Sequence, residues 1–131
     1  MQVLFVEDDP MNRRVVKDML SVVGATMDEA PDAETGLKMI NDGAFNIILM
    51  DLRMPGMDGL TAIRHLRART DDKRQLPVIV VTADTAVDLR ERCLSEGADE
   101  VILKPVAMNL LLKAMSRMLA KAAGRSRVVL S

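Results

Sequence analysis

Two patterns of apolar and polar positions alternate along this chain. Short runs of consecutive apolar residues predict strands buried on both faces, because a strand with one exposed face would alternate apolar and polar positions. The predicted strands, of which the second is the weakest, are VLFV (3–6), ATMDEA (25–30), NIILM (46–50), LPVIVVTA (76–83) and the start of EVILKP (100–105).

Between these runs, apolar residues recur every three or four positions, which is the spacing of one face of a helix. In the first such stretch Met11, Val15, Val16 and Met19 share a face, and Gly24 ends the helix. Strict alternation of buried strands with helices predicts crossover connections and a doubly wound α/β sheet. The predicted helices span residues 11–24, 33–43, 59–70, 85–97 and 107–122.

The length and composition of the chain indicate that these elements form a single domain. The chain has 131 residues, of which 49% are apolar, so it can bury a core of ordinary size. The last residues, GRSRVVLS, fit no predicted element. We therefore expect a domain over residues 1–121 and a flexible C-terminal tail over residues 122–131, with the start of a linker as the alternative.

Net charge and cysteine content limit the partners and the cellular compartment that we expect for the protein. The net charge is −1 without a dense basic block, which argues against direct binding of nucleic acid. No apolar run approaches the roughly 18 residues of a membrane span, and the first residues do not form a signal peptide. Because the one cysteine, Cys93, cannot form an internal disulfide, we expect a cytoplasmic protein that has no contact with a membrane.

Polar residues follow the predicted strands at the point where each strand ends. In an open parallel sheet, binding sites form at the carboxyl ends of the strands, so these residues are expected to meet at one rim. The residues concerned are Glu7 and Asp8 after the first strand, Asp51 after the third, Thr82 after the fourth and Lys104 after the fifth.

The three acids of this group need a positive partner. Two unit charges about 4 Å apart repel by roughly 4 kcal/mol at an effective dielectric constant near 20. Lys104 offsets part of that repulsion. A hard divalent cation, Mg²⁺ or Mn²⁺, would offset the rest, because Mg²⁺ prefers a few carboxylates and accepts phosphate oxygens. For the neighbouring Asp9 two interpretations remain open, membership of this group and capping of the first helix.

Four short motifs occur in a characteristic order: EDDP (7–10), LMDLRMPGMDG (49–59), VTA (81–83) and LKP (103–105). Together they resemble the receiver domain of two-component response regulators over residues 2 to about 121. The resemblance implies a flavodoxin-like fold, a five-stranded parallel sheet of order 2-1-3-4-5 with helices on both faces. The stretches DDPMNRRVV and MDLRMPGMDGLTAIR are more similar to receivers of hybrid histidine kinases than to those of transcription factors.

The resemblance also implies roles for the residues at the rim. Asp51 matches the phosphoacceptor, which attacks the phosphohistidine of a histidine kinase or a histidine phosphotransfer protein. Asp8 matches the acid that binds Mg²⁺ directly, and Glu7 matches its neighbour, which reaches the metal through water. Arg53 matches the position whose backbone carbonyl completes the metal shell.

Two further residues are implied to contact the phosphoryl group. Thr82 matches the hydroxyl that moves toward it, and Lys104 matches the lysine that pairs with one of its oxygens. The peptide bond between Lys104 and Pro105 is expected to be cis. The side chain of Arg53 has two open interpretations: it covers the phosphoryl group and slows hydrolysis, or it is solvated.

The expected function is a signalling domain rather than an enzyme, although such a domain catalyses its own phosphorylation and dephosphorylation. Phosphorylation would alter binding of an output protein or a second copy through the fourth helix, fifth strand and fifth helix. Many receivers have an aromatic switch residue three positions before the lysine. Here that position is Val101, and the chain contains no tyrosine.

Three alternatives compete with this hypothesis. An aspartate-dependent phosphatase would need an acid where Arg53 stands, and a flavodoxin would need a hydroxyl-rich phosphate loop and aromatic residues. The third alternative is a degenerate receiver that works as an unphosphorylated docking module. Phosphorylation of Asp51 by a small phosphodonor with Mg²⁺ would distinguish the expected phosphoacceptor from this degenerate receiver.

Overall fold

The computed structural model describes residues 1–130, with side chains for residues 1–122. The strands are β1 (Gln2–Val6), β2 (Thr26–Ala30), β3 (Ile47–Met50), β4 (Val78–Thr82) and β5 (Glu100–Leu103). The helices are α1 (Pro10–Val22), α2 (Ala33–Asp42), α3 (Gly59–Arg67), α4 (Leu89–Ser95) and α5 (Met108–Leu130), and a short 3₁₀ turn spans Asp72–Gln75.

All four strand pairings are parallel, and the strand order is β2-β1-β3-β4-β5. The predicted fold class and strand order are therefore confirmed. In the register, Val6 is opposite both Ala30 and Met50, so β1, β2 and β3 end at the same level. Thr82 is opposite Leu103, so β4 and β5 also end together. The residues that follow the strands consequently emerge at one rim of the sheet.

Side chains along each central strand alternate between two apolar layers. Leu4 and Val6 face the layer completed by α2, α3 and α4, whereas Val3 and Phe5 face the layer completed by α1 and α5. All four side chains are fully buried. Helices on both faces thus explain why these strands are apolar at every position.

The fourth helix is shorter than its apolar spacing predicts. The prediction began it at residue 85, but α4 begins at Leu89. The side chain of Asp84 accepts a hydrogen bond from the backbone N–H of Ala86 and keeps this segment in a turn. Such local bonds compete with helix formation, and the periodicity of apolar residues does not reveal them.

The last helix is longer than predicted. It continues to Leu130 rather than ending at residue 122, and although it contains Gly124, no proline interrupts it. The division into a domain of residues 1–121 and a flexible tail of residues 122–131 stays a prediction. The last residue of that tail, 131, lies outside the described residues.

Capping of α3 leads to a testable prediction about the segment that follows the site. Asp58 accepts a hydrogen bond from the backbone N–H of Thr61, and this N–H lowers the pKa of Asp58 below its ordinary 3.8. We expect Asp58→Ala to lower the free energy of unfolding by about 1 kcal/mol at neutral pH. Because a lowered pKa stabilises the fold only above the unfolded value, this difference should shrink as pH falls below 3.8 through the folded pKa.

Urea titrations at pH 7 and at pH 3 would measure both effects. Asp88→Ala is the matched control, since Asp88 precedes α4 but makes no capping hydrogen bond with its side chain. A loss of stability equal in the two variants would contradict the capping role of Asp58.

Candidate functional site

The sheet brings Glu7 and Asp51 together through its backbone. They directly follow the neighbouring strands β1 and β3, and the backbone N–H of Asp51 donates to the carbonyl of Val6 at 3.0 Å. The backbone N–H of Glu7 in turn donates to the carbonyl of Ala30 at 2.9 Å. Both acids are therefore held on rigid backbone at the rim.

These residues border a cleft of about 530 Å³ at the carboxyl ends of β1, β3, β4 and β5. Every residue predicted for the site from the sequence lines this cleft. The complete lining consists of Glu7, Asp8, Asp9, Asn12, Asp51, Arg53, Thr82, Ala83, Asp84, Thr85 and Lys104.

Asp51 is nearly buried, with only 5% of its surface exposed. Its Oδ1 accepts a hydrogen bond from the backbone N–H of Leu52 at 2.9 Å, and its Oδ2 lies 3.5 Å from Nζ of Lys104. One oxygen is thus held by the backbone while the other faces a cation. A carboxylate held in this way keeps a fixed direction toward the cleft.

Glu7 is fully buried, which is unusual for an acid. Its Oε1 accepts hydrogen bonds from Nζ of Lys104 at 2.6 Å and from the side-chain amide of Asn12 at 2.7 Å. Its Oε2 has no hydrogen-bond partner among the described residues. Burial and the nearby carboxyl of Asp51 raise the pKa of Glu7. A buried acid with one unsatisfied oxygen therefore marks this corner of the cleft.

The donor set fits a divalent cation. Glu7, Asp8 and Asp51 each place one carboxylate oxygen so that the three atoms lie within 4.8 Å of one another. The unsatisfied Oε2 of Glu7 points to a missing positive partner, because buried polar atoms are otherwise almost always paired. Asp8 is exposed, which leaves room for the waters that Mg²⁺ retains.

Lys104 is half-buried between the two buried acids. Burial alone would lower the pKa of its ammonium group, but Glu7 and Asp51 raise that pKa above its ordinary value. Its backbone N–H donates to the carbonyl of Thr82 at 2.8 Å, which aligns the end of β5 with the end of β4. The peptide bond from Lys104 to Pro105 is cis, as expected.

Thr82 and Ala83 form the wall of the cleft next to β4. Thr82 is only 1% exposed, and its hydroxyl oxygen accepts a hydrogen bond from the backbone N–H of Asp84 at 3.1 Å. The hydroxyl proton itself is not engaged by this bond. Ala83 is exposed and small, so the side of the cleft beside Thr82 remains open.

The side chain of Arg53 has a partner, Asp84, that neither of its two sequence-based interpretations named. Its Nη2 lies 2.8 Å from Oδ2 of Asp84, so the guanidinium is paired rather than merely solvated. It lines the cleft but does not bond Asp51 in this state. Sequence reasoning missed Asp84, although it stands one residue beyond the VTA motif at the same rim.

Sequence reasoning also missed two residues in the first turn of α1. Asn12 orients Glu7, and Arg13 donates to the backbone carbonyl of Glu7 at 2.7 Å. Their place in the first turn after an acid at a strand end was an available signal, since such residues point back to the rim. Asp9 is the cap of α1, because its side chain accepts the backbone N–H of Met11.

Fold and site together define a doubly wound α/β domain with an acid cluster and a lysine at the carboxyl ends of its strands. The family model described as "Response regulator receiver domain" matches residues 3–116. The chain belongs to this family and is a receiver domain of two-component signalling.

Curated relatives of two kinds are similar to the chain. The sensor histidine kinase RcsC of Salmonella typhimurium is 35% identical over 111 residues, which are 85% of this chain and 11% of that protein. The response regulator MprA of Mycobacterium ulcerans is 36% identical over 120 residues, which are 92% of this chain and 50% of that protein. The chain thus spans at most half of either relative, and the two identities do not separate a receiver of a sensor kinase from one of a response regulator.

Solved structures agree with the fold. The receiver domain of sensor histidine kinase PA1611 from Pseudomonas aeruginosa, solved with a magnesium ion coordinated in its active-site cleft, is 31% identical with a TM-score of 0.82. The match covers 91% of this chain and 97% of that one. The chemotaxis protein CheY4 of Vibrio cholerae is 26% identical with a TM-score of 0.82 and covers 90% of this chain and 98% of its own.

Among the described residues, no helix combines the length and the apolar character that crossing a membrane requires.

Proposed function

We propose that the chain accepts a phosphoryl group on Asp51 from a phosphohistidine of a histidine kinase or histidine phosphotransfer protein, in a reaction that depends on Mg²⁺. The observation that carries this proposal is the unsatisfied Oε2 of buried Glu7, which lies in one cluster with Asp8 and Asp51. Such a cluster is suited to a cation that in turn attracts a phosphoryl oxygen.

Glu7, Asp8 and Asp51 would hold the metal, together with the backbone carbonyl of Arg53. Bound there, Mg²⁺ (or Mn²⁺) supplies positive charge against the oxygens of the incoming phosphoryl group. Glu7 is already oriented for this task, because Lys104 and Asn12 occupy its other oxygen.

In the transfer, a carboxylate oxygen of Asp51 forms a bond to phosphorus as the bond from phosphorus to the donor histidine breaks. The electron pair of the broken bond stays on the imidazole nitrogen of the donor. Lys104 pairs with a phosphoryl oxygen, and the free hydroxyl proton of Thr82 is available to another. Phosphoryl transfer needs little more than this in-line positioning and charge neutralisation.

The acyl phosphate would then act as a cytoplasmic signal by changing which partner binds. The surface of α4, β5 and α5 supports this role, because Leu103 and Leu110 are half exposed there, at 50% and 53%. Glu100 in the same surface pairs with Arg90 of α4 and Arg117 of α5, so the three elements are linked. An output protein or a second copy of the chain would bind at this surface.

Intact mass spectrometry with the small donor acetyl phosphate tests the proposal. We expect the protein to gain one phosphoryl group in Mg²⁺ and none when EDTA removes the metal. Mg²⁺ alone should raise the melting temperature, since binding at a hundred times the dissociation constant adds about 2.7 kcal/mol of stability.

Asp8→Asn is the informative variant, because Asp8 is exposed and the loss of its negative charge should not lower the metal-free melting temperature. This variant should lose the stabilisation by Mg²⁺ and be phosphorylated at least about tenfold more slowly, since even outer-shell partners of metal ligands are typically worth that much. Stabilisation of the wild type by Mg²⁺ without any gain of mass would instead favour the degenerate docking module.

A further inference from the structure

One ion pair joins the loop after β3 to the loop after β4 across the mouth of the cleft. Nη2 of Arg53 lies 2.8 Å from Oδ2 of Asp84. The side chain of Arg53 is 79% exposed, whereas that of Asp84 is 19% exposed. Asp84 is therefore the fixed member of the pair, and the long side chain of Arg53 is the member that can swing.

Asp84 also connects the cleft to the segment before α4. Its Oδ1 accepts the backbone N–H of Ala86 at 2.9 Å, and its own N–H donates to the hydroxyl of Thr82 at 3.1 Å. The N–H of Ala86 and the guanidinium of Arg53 lower the pKa of Asp84. One ionised carboxylate thus holds both Arg53 and the approach to α4.

The charged residues that line the cleft indicate a role for Arg53 in binding the phosphoryl group. Lys104 and Arg53 are the two cations among the described residues of the lining. Lys104 is already engaged, 2.6 Å from Oε1 of Glu7 and 3.5 Å from Oδ2 of Asp51. A phosphoryl group brings a charge of roughly −1.5 to −2 and three strong acceptor oxygens in place of one carboxylate charge. Arg53 is the cation of the described lining that can meet the added charge besides Lys104 and the metal.

We propose that Arg53 exchanges its partner Asp84 for the phosphoryl group, an inference that rests on the proposed phosphorylation of Asp51. Asp84 holds its guanidinium in the unphosphorylated protein, and the phosphoryl group takes it over. A guanidinium can bind two phosphoryl oxygens through parallel hydrogen bonds, which favours the exchange over its contact with Asp84. Arg53 contacts the phosphoryl group directly, and Asp84 is a positioning residue that acts through Arg53.

The exchange has a consequence for the fold beyond the cleft. Asp84 loses its tie to the loop after β3, and the turn from Asp84 to Ala86 loses one of its restraints. The segment that leads into α4 thereby becomes freer to rearrange. This route from the phosphoryl group to α4 requires no aromatic residue at Val101.

Beryllium fluoride with Mg²⁺, a mimic of the phosphoryl group, allows an equilibrium test. The three variants are Arg53→Gln, Asp84→Asn and the double variant that combines them. Arg53→Gln keeps the backbone carbonyl proposed for the metal. Arg53→Gln should weaken binding of the mimic about two- to fivefold, in keeping with an exposed charged contact. Asp84→Asn should tighten binding, because it removes both a negative charge and the competing partner of Arg53.

The double variant separates these two contributions. Loss of the charge of Asp84 tightens binding in both backgrounds, whereas release of Arg53 helps only where Arg53 is present. The gain from Asp84→Asn should therefore be about threefold larger in the wild type than beside Arg53→Gln. Arg64→Gln is the matched control. It breaks the exposed pair between Arg64 on α3 and Glu96 at the end of α4, and it should leave binding unchanged.

Hydrogen exchange at the amide of Ala86 gives a second measurement. The mimic should accelerate this exchange in the wild type and leave it unaltered in Arg53→Gln. Additive effects in the cycle, or weaker binding in Asp84→Asn, would overturn the exchange of partners even if acetyl phosphate still labels the protein. If the wild type neither gains mass nor binds the mimic, the proposed function fails and the exchange fails with it.

Discussion

Asp51→Asn is expected to abolish the gain of mass from acetyl phosphate completely, whatever the concentration of Mg²⁺. The amide is not a nucleophile toward phosphorus, so the proposed acceptor is lost. Oδ1 of Asp51 is held by the backbone N–H of Leu52, and Oδ2 faces Lys104. Intact mass spectrometry after a long incubation measures the effect, and circular dichroism checks that the variant is folded.

Asp9→Asn is the matched control for this variant. It makes the same chemical change in the same cleft, but Asp9 serves to cap α1, and asparagine caps helices equally well. Phosphorylation of this control should proceed as in the wild type. A phosphoryl group that persists in Asp51→Asn would show that another residue is the acceptor.

Gly59→Ala is expected to cost about 3 kcal/mol of the free energy of unfolding, the largest effect of any single methyl group added near the site. A Cβ at Gly59 would lie 2.9 Å from Cα of Leu52 and closer still to the carbonyl oxygen of Asp51. These are backbone atoms at the end of a buried strand, so they cannot move aside as a side chain would. Urea unfolding monitored by circular dichroism measures the loss.

Gly24→Ala provides the comparison for this prediction. Nothing lies within 4 Å of a Cβ at Gly24, but its φ of 75° makes any L-residue strained there. That strain should cost about 1 kcal/mol, clearly less than the collision at Gly59. Gly59→Ala should also slow phosphorylation, because a shift of Asp51 by about 1 Å can cost a hundredfold in rate. Equal losses of stability in the two variants would contradict the close approach of α3 to Asp51.

The predicted phosphorylation site is electrostatically unfavourable until a cation arrives. Glu7 is fully buried, its pKa is raised mainly by burial, and Lys104 compensates only one of its oxygens. Without a divalent cation, the single positive charge of Lys104 does not neutralise the three acids of the cluster. This arrangement couples binding of metal to the readiness of Asp51 in the proposed reaction.

Local sequence patterns were sufficient to predict the strands and helices and the residues that lie at the rim of the sheet. The apolar run of β3 followed by Asp51 identifies a buried strand that ends on an acid, because burial on both faces leaves no polar position inside the strand. The same reasoning placed Glu7, Thr82 and Lys104 at the ends of their strands, and all of them line the cleft. Boundaries such as the start of α4 escaped it, since a side-chain hydrogen bond from Asp84 decides them.

The sequence by itself determined the alternation of buried strands and amphipathic helices, and with it the doubly wound sheet whose rim collects the acids. Only the tertiary structure decided that Glu7 is buried with one unsatisfied oxygen and that Arg53 is paired with Asp84. The physical reason is that periodicity reports which face of an element is apolar, whereas contacts between residues 31 positions apart depend on register and on loop conformation.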